Sequence, residues 1–320
     1  YASGTPFAPH ILGELTGPPR LGALVRQATP DQMQRFILPV ARAEKAVCFA
    51  ITEPEAGSDA GALQTSAVQD GDHFVLNGAK RFISGSPFCD FAVIIASTSD
   101  DSAVRETTAF FVERDRPGFA IEGGYKTMAG QSHTANIVLS DCRIPASNQI
   151  GERGKGLGLA LGRITINRLL HCPAMLGLAQ LALQDSIRHA QRRQQFGKPI
   201  GAFQAIQHQL SVMSEHVFAA RMSAQLAFTD NGLTVDTLRT AIAKARTSEA
   251  ALEVAALSHS IHGAIGFTAE YDLQLFTRRL NLWRQTAGSE SYWHDQVGAS
   301  ALAHPGLSLD LIRQATDLTC

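Results

Sequence analysis

Phe49-Ala50-Ile51-Thr52-Glu53-Pro54-Glu55-Ala56-Gly57-Ser58-Asp59 reads as the end of a strand opening into a turn of small and hydroxyl-bearing residues. Such a turn lets backbone N–H groups and the hydroxyls of Thr52 or Ser58 approach a flat polar ligand edge. Taken alone, the run is a capped turn. Upstream, residues 1–46 look helical and loop-like, with Pro18-Pro19 as a breaker and a polar-apolar run from Asp31 to Ala43. From Val47 to about Ile150 short β-type runs alternate with turn residues: His73–Leu76, Phe91–Ala96, Thr107–Glu113 and Ala135–Leu139. That spacing predicts an antiparallel sandwich or barrel of modest size.

After Gly151-Glu152-Arg153-Gly154-Lys155-Gly156 the texture becomes helical. Apolar residues at Phe203, Ile206, Leu210, Met213, Val217, Ala220, Ala224 and Ala227 recur at three-four spacing, the stripe of a helix facing a partner. An alanine-rich helix is expected from Asp236 to about His262, and shorter ones around Leu273, Phe276, Leu280 and Trp283. The stripes are bundle core. The fold class is therefore α+β: residues 1–46 an N-terminal helical remnant, 47–155 a central antiparallel β-domain, and 156–320 a C-terminal four-helix bundle.

Composition narrows the function classes. A chain of 320 residues exceeds the usual single core, so two or three domains are expected. With 45% apolar and 18% charged residues it is a packed protein and not a disordered one. The formal net charge of −1 gives no global pull toward nucleic acid or anionic membrane, so neither partner is expected. Cys48, Cys89, Cys142, Cys172 and Cys320 stand singly, which reads as reduced thiols and argues against a metal site or a disulfide framework. No uninterrupted apolar stretch is long enough for a bilayer and no leader pattern opens the chain, so the cytoplasm is the expected location.

The run at 49–59 resembles the signature of the acyl-CoA dehydrogenases: an aromatic, two small or apolar residues, then T-E-P-x-A-G-S-D. The resemblance implies that Phe49, Ile51 and Thr52 line the isoalloxazine ring of FAD. It places Gly57 and Ser58 at the flavin pyrophosphate and the pantetheine arm of a thioester. Lys80-Arg81-Phe82-Ile83-Ser84 is similar to the next flavin motif, implying that Phe82 and Ser84 bracket the ring. Arg193-Gln194-Gln195-Phe196-Gly197-Lys198-Pro199-Ile200 resembles the family's R-x-x-F-G-[KR]-P-I turn. Arg193, Phe196 and Gln204 would then reach the FAD of a neighbouring subunit, and guanidinium suits the pyrophosphate. A shared site implies a homo-oligomer, a dimer or tetramer. His262-Gly263-Ala264-Ile265-Gly266-Phe267 resembles the family's glycine loop, with Gly263 and Gly266 retained. Read on residues alone, it is a helix C-cap followed by a turn.

Followed from Gly266, the family pattern reaches the segment that usually reads Y-E-G-T and holds the catalytic glutamate. Here it reads Thr286-Ala287-Gly288-Ser289. A minority branch carries its glutamate on a helix just before an arginine; Arg168 is present, but Asn167 precedes it. Both base positions are vacant, and losing a general base typically costs about 10²–10⁴-fold in rate. Ala287 still offers the backbone N–H that, by the resemblance, polarises the thioester carbonyl, with Ser289 among the cofactor contacts. Thr286 for Tyr and Ser289 for Thr favour natural divergence over a single introduced Glu→Ala change.

Three explanations compete. A substitute base is one, with Glu290, His294, Glu53 and His171 as sequence candidates and Glu290 a weak one. Enolate formation by loss of carbon dioxide or sulfinate is the second. The third is flavin oxygen chemistry, or a flavoprotein subunit that binds without turnover. The expected function is an FAD-dependent oxidoreductase acting on acyl-CoA or an acyl carrier protein thioester. An electron-transfer flavoprotein or oxygen would accept the electrons. A non-redox flavin-containing lyase or desulfinase, a flavin monooxygenase and a silent subunit are the alternatives.

Overall fold

The apolar run at 91–96 lacks the alternation of a half-exposed strand because the strand it forms is covered on both faces. The computed structural model describes residues 17–99, 106–128, 133–228 and 235–316. The described residues divide into two compact units, 17–164 and 165–316.

In the first unit, α1 (Gly17–Gln27) precedes a helical run, Pro30–Gln32, Met33–Ile37 and Leu38–Ala41, whose middle segment is a π-helical turn. The expected breaker Pro18-Pro19 instead opens α1, where the missing N–H groups would have had no intrahelical partner. Eight strands follow: β1 (Val47–Ala50), β2 (Ser66–Asp70), β3 (His73–Ser84), β4 (Phe91–Ser97), β5 (Thr107–Glu113), β6 (Phe119–Tyr125), β7 (Thr134–Pro145) and β8 (Gln149–Ile150). They form one sheet in the order β6-β7-β3-β2-β4-β5-β8, with β1 paired to β4. Most pairings are antiparallel, as expected, but β1 and β2 each pair β4 in parallel, so the sheet is mixed. The long connection that carries the β2–β3 hairpin between β1 and β4 makes the parallel pairing reachable.

Alternation decides which side chains go where. Ala92, Ile94 and Ala96 of β4 join Phe110 and Val112 of β5 in one core. Phe91, Val93 and Ile95 join Ala109 and Phe111 in another, which Leu21, Leu24, Phe36 and Ile37 of the helical segment complete. Phe36 stacks on Phe111 with ring centroids 4.3 Å apart. This helical segment is thus anchored to the sheet by its own apolar stripe. Buried Gln32 adds hydrogen bonds to the carbonyls of Ser147 and Gln149 at 2.7 and 2.6 Å.

In the second unit the helices are α2 (Gly156–Arg192), which begins in the first unit, α3 (Gln204–Ala227), α4 (Thr237–His262), α5 (Leu273–Gln285), α6 (Glu290–Ala303) and α7 (Ser308–Thr316). The stripe read from the sequence lies inside: Met213, Val217, Ala220, Ala224 and Ala227 are buried. Ala182 and Leu183 of α2, Met213 and Val217 of α3, Val254 and Ile261 of α4 and Leu273 of α5 share a core. Alanine-rich α4 is central, contributing Ala251 and Ala255 to a second core with Leu280 and Trp283, and Ala241 and Ala245 to a third with Trp293. Small side chains on several faces let three helices approach it closely. Asp236 caps it, accepting from the Arg239 N–H at 2.7 Å. No helix of the described residues is long and apolar enough to cross a membrane.

Gly118 tests the β-domain. Its φ is +84°, and a Cβ there would sit 2.1 Å from the Ser140 carbonyl oxygen. Gly118→Ala is expected to cost about 3 kcal/mol or more through strain and overlap, measured by urea denaturation.

Candidate functional site

The two motifs expected to hold a flat ring belong to adjacent chain segments of the first unit. The Arg81 N–H donates to the Thr52 carbonyl at 2.8 Å, joining the turn after β1 to β3. Lys80, fully buried, donates from Nζ to the Ile51 carbonyl at 3.1 Å and to Glu53 Oε1 at 2.6 Å. The Glu53 carboxylate also accepts from the backbone N–H groups of Gln64 at 2.5 Å and Thr65 at 3.0 Å. Burial alone would push the Glu53 carboxyl up, but Lys80 and the Gln64 N–H hold it below its ordinary value. Glu53 is therefore a structural anion, and this removes it from the candidate bases.

Phe82 owes its position to a break in pairing. The β3–β7 register shifts between Lys80 and Ile83, and Phe82 adopts φ +58°. A bulge of this kind re-aims a side chain. Phe82 is left 50% exposed, 4.7 Å from the Tyr125 ring and with the Arg81 guanidinium 4.6 Å from its centroid. Phe49, at the end of β1, carries the Arg163 guanidinium 3.6 Å above its ring. Ser58 lines a cleft with Asp59, Gly61, Thr107, Leu157 and Leu161, and a Cβ added at Gly57 would meet nothing within 4 Å. The hydroxyls of Thr52, Ser58 and Ser84 make no hydrogen bond among the described residues. Open hydroxyls beside an outward-turned aromatic ring fit a planar polar group such as an isoalloxazine, with Phe49 and Ile51 on the same segment.

The remaining motifs lie in the second unit. Arg193 follows α2 and leads into a two-stranded hairpin, Gln194–Gln195 with Lys198–Pro199. Phe196 at its tip has φ +53° and is 92% exposed, its ring 6.0 Å from Phe203. Gln204 opens α3. Gly263, with φ +66°, ends α4 and starts the turn Gly263–Phe267. The hairpin and the glycine turn leave neighbouring helix ends, since the rings of His189 and His262 are 4.4 Å apart. A Cβ at Gly266 would meet His262 Cβ at 3.0 Å and Leu273 Cδ2 at 3.2 Å, so the turn is packed from below.

The loop 286–289 is held by its carbonyls. Lys244 Nζ donates to the carbonyls of Arg284 at 3.0 Å, Gly288 at 3.1 Å and Trp283 at 3.4 Å, and to Ser248 Oγ at 2.9 Å. Trp293 Nε1 donates to the Gly288 carbonyl at 3.2 Å, and Arg168 Nε to the Ala287 carbonyl at 3.2 Å. Ala287 itself adopts φ +60°, a left-handed conformation uncommon for a residue with a Cβ. Its N–H makes no hydrogen bond among the described residues. Lys244 was missed by the sequence reading: a lone lysine in an alanine-rich helix reads as solvated, and only its fit among carbonyls reveals it.

The base candidates fare differently. Glu290 Oε1 accepts from Arg284 at 2.6 Å, while its Oε2 is buried with no hydrogen-bond partner. His294 is exposed. His171 Nδ1 lies 2.6 Å from the Asn167 carbonyl oxygen. Asn167 Oδ1 is buried without a partner.

Comparison with known proteins accords with the motifs. Residues 48–143 match the family description "Acyl-CoA dehydrogenase, middle domain", and residues 154–302 match "Acyl-CoA dehydrogenase, C-terminal domain". The chain is 35% identical over 260 residues to the CarC subunit of the caffeyl-CoA reductase–Etf complex of Acetobacterium woodii, covering 80% of this chain and 68% of the relative. It is 33% identical over 261 residues to the mitochondrial short-chain specific acyl-CoA dehydrogenase of Rattus norvegicus, covering 81% and 63%. The butyryl-CoA dehydrogenase structure from Megasphaera elsdenii superposes with a TM-score of 0.82 at 30% identity, covering 88% of this chain and 74% of that one. The chain thus spans about two thirds of the length of these sequence relatives.

Two outcomes test this geometry. Lys80→Met strands the buried Glu53 carboxylate and is expected to cost about 3–5 kcal/mol in denaturant titration. Because Glu53 sits below its ordinary value, its contribution is present at neutral pH and fades as pH falls through the folded value. For Lys244 the slope has the same sign in a higher pH window, although the cause is burial and not a partner. Burial lowers its ammonium from 10.5 to about 8, so between those values the unfolded chain binds more protons than the folded one. Wild-type stability relative to Lys244→Met should therefore rise from pH 8 toward pH 10.5, read by denaturation at stepped pH.

Proposed function

The chain belongs to the acyl-CoA dehydrogenase family, and from that premise we propose that it is an FAD-dependent oxidoreductase of acyl thioesters that forms its enolate by losing a leaving group. The family is FAD-dependent. Bound FAD supplies a hydride acceptor. The chain's own residues do the rest: Phe49, Ile51, Thr52, Phe82 and Ser84 orient the ring, and Gly57 and Ser58 border the pyrophosphate and the pantetheine arm. Arg193, Phe196, Gln204, Gly263, Gly266 and Ser289 complete the cofactor contacts, with Arg193 reaching toward a neighbouring copy in a homo-oligomer. The thioester carrier is coenzyme A or an acyl carrier protein, and the acceptor is an electron-transfer flavoprotein or oxygen.

The observation that carries this reading is the Ala287 loop. Its N–H is open while its carbonyl is turned away and held by Arg168, which suits an oxyanion donor. Abstraction of the α-proton needs a side chain that Ala287 does not have. An α-substituent that departs as a neutral molecule such as carbon dioxide, with the bonding electron pair left on the α-carbon, removes that need.

Mixing the FAD-loaded protein anaerobically with butyryl-CoA, while following flavin absorbance, separates the cases. The wild type is expected to bleach slowly and Ala287→Glu about 10²–10⁴-fold faster, the usual contribution of a general base. Wild-type bleaching within tenfold of the variant would mean that another group takes the proton. With a thioester that bears an α-leaving group in place of butyryl-CoA, product formed without bleaching would make the protein a lyase.

A further inference from the structure

Asn136 stands on β7 between two irregular strands. On one side Lys80 pairs Ile137 and Ile83 pairs Ala135, so Arg81 and Phe82 of β3 oppose the single Asn136. On the other side Glu122 pairs Asn136 and Tyr125 pairs Thr134, so Gly123 and Gly124 of β6 oppose the single Ala135. Gly123 takes φ +68°, which glycine adopts without a Cβ penalty. Two bulges thus flank one strand at adjacent positions, and each bends its strand and re-aims a side chain. A side-chain amide bridges them. Asn136 Oδ1 accepts from the Phe82 N–H at 3.4 Å, and Asn136 Nδ2 donates to the Tyr125 hydroxyl at 3.1 Å.

The same arrangement fixes a ring. Phe82 adopts φ +58°, a left-handed conformation that is costly for a bulky residue and persists only where the surroundings impose it. The residue is half exposed, yet two groups flank it. The Tyr125 ring packs against it at a tilt of 59° with centroids 4.7 Å apart, and the Arg81 guanidinium lies 4.6 Å from its centroid. Hydrogen bonds from Asn136 and Arg81 hold the Tyr125 phenol below its ordinary value, so its hydroxyl is anchored by two donors. A phenylalanine side chain has no polar atom with which to fix its own direction. Its orientation comes from the groups that pack on it.

We propose that Tyr125 is a positioning residue for the flavin: its ring, anchored through Asn136, sets the plane in which Phe82 meets the isoalloxazine. This rests on the reading above that Phe82 orients that ring. Tyr125 acts through Phe82 and takes no part in the chemistry. The amide bridge ties the backbone of one bulge to the hydroxyl of the other strand, so the two aromatic rings keep a fixed mutual geometry. Loss of the Tyr125 ring would leave Phe82 with Arg81 alone beside it, and the ring could then turn away from its ligand-facing pose.

A double-mutant cycle tests this, read by FAD released from the loaded protein on dilution and by the fluorescence of the flavin that stays bound. Phe82→Ala is expected to weaken FAD binding. Tyr125→Ala should weaken it about three- to tenfold, the range of one tilted aromatic pair. Because Tyr125 acts through Phe82, the double variant should bind no worse than Phe82→Ala alone. Tyr125→Phe keeps the ring, loses the Asn136 anchor and should retain part of the affinity; it carries the test if Tyr125→Ala does not fold. Wild-type affinity in both Tyr125 variants, or a double variant weakened by the product of the single effects, would overturn the proposal and leave the flavin reading intact. If Phe82→Ala holds FAD as the wild type does, the reading of Phe82 falls first and this inference falls with it.

Discussion

An ammonium sealed from water must surround itself with oxygen atoms, and this chain uses that requirement twice to shape its backbone. Lys80 gathers the Ile51 carbonyl and the Glu53 carboxylate; Lys244 gathers three carbonyls and a hydroxyl. Neither lysine is exposed. Without them the turn after β1 and the loop after α5 would keep polar backbone groups that no strand or helix satisfies. The first turn presents Thr52 beside β3, and the second presents Ala287. The ion pair and the carbonyl clasp therefore come before any contact with a ligand.

Much of the scaffold was legible because periodicity reports burial. The stripe ending at Ala227 is a buried helix face, and the unbroken apolar run at 91–96 is a strand covered on both sides. The motif at 49–59 was legible as a turn after a strand because its glycine, hydroxyls and proline cluster there. What escaped reading were features set by distant partners. The parallel pairing of β1 and β2 with β4 leaves no trace in alternation. The bulge that turns Phe82 outward lies within a run that reads as plain strand. Pro18-Pro19 looked like an interruption and is a start. Glu53 looked like a candidate base, and three donors prove to occupy it.

The fate of residue 287 follows from which atoms hold the loop. Lys244, Arg168 and Trp293 all bind carbonyl oxygens, which every residue has. None of those bonds uses the side chain at 287. A loop defined this way keeps its N–H in place whichever residue occupies the position, so a change of side chain at 287 need not move that donor. Glycine would suit φ +60° better than alanine. That a residue with a Cβ is held there shows the surrounding bonds to be strong enough to impose the conformation. On the proposed reading of this loop, the two halves of acyl-thioester activation, polarising the carbonyl and taking the proton, would be physically separable. The first would belong to the backbone and its buried cations, and the second to one side chain.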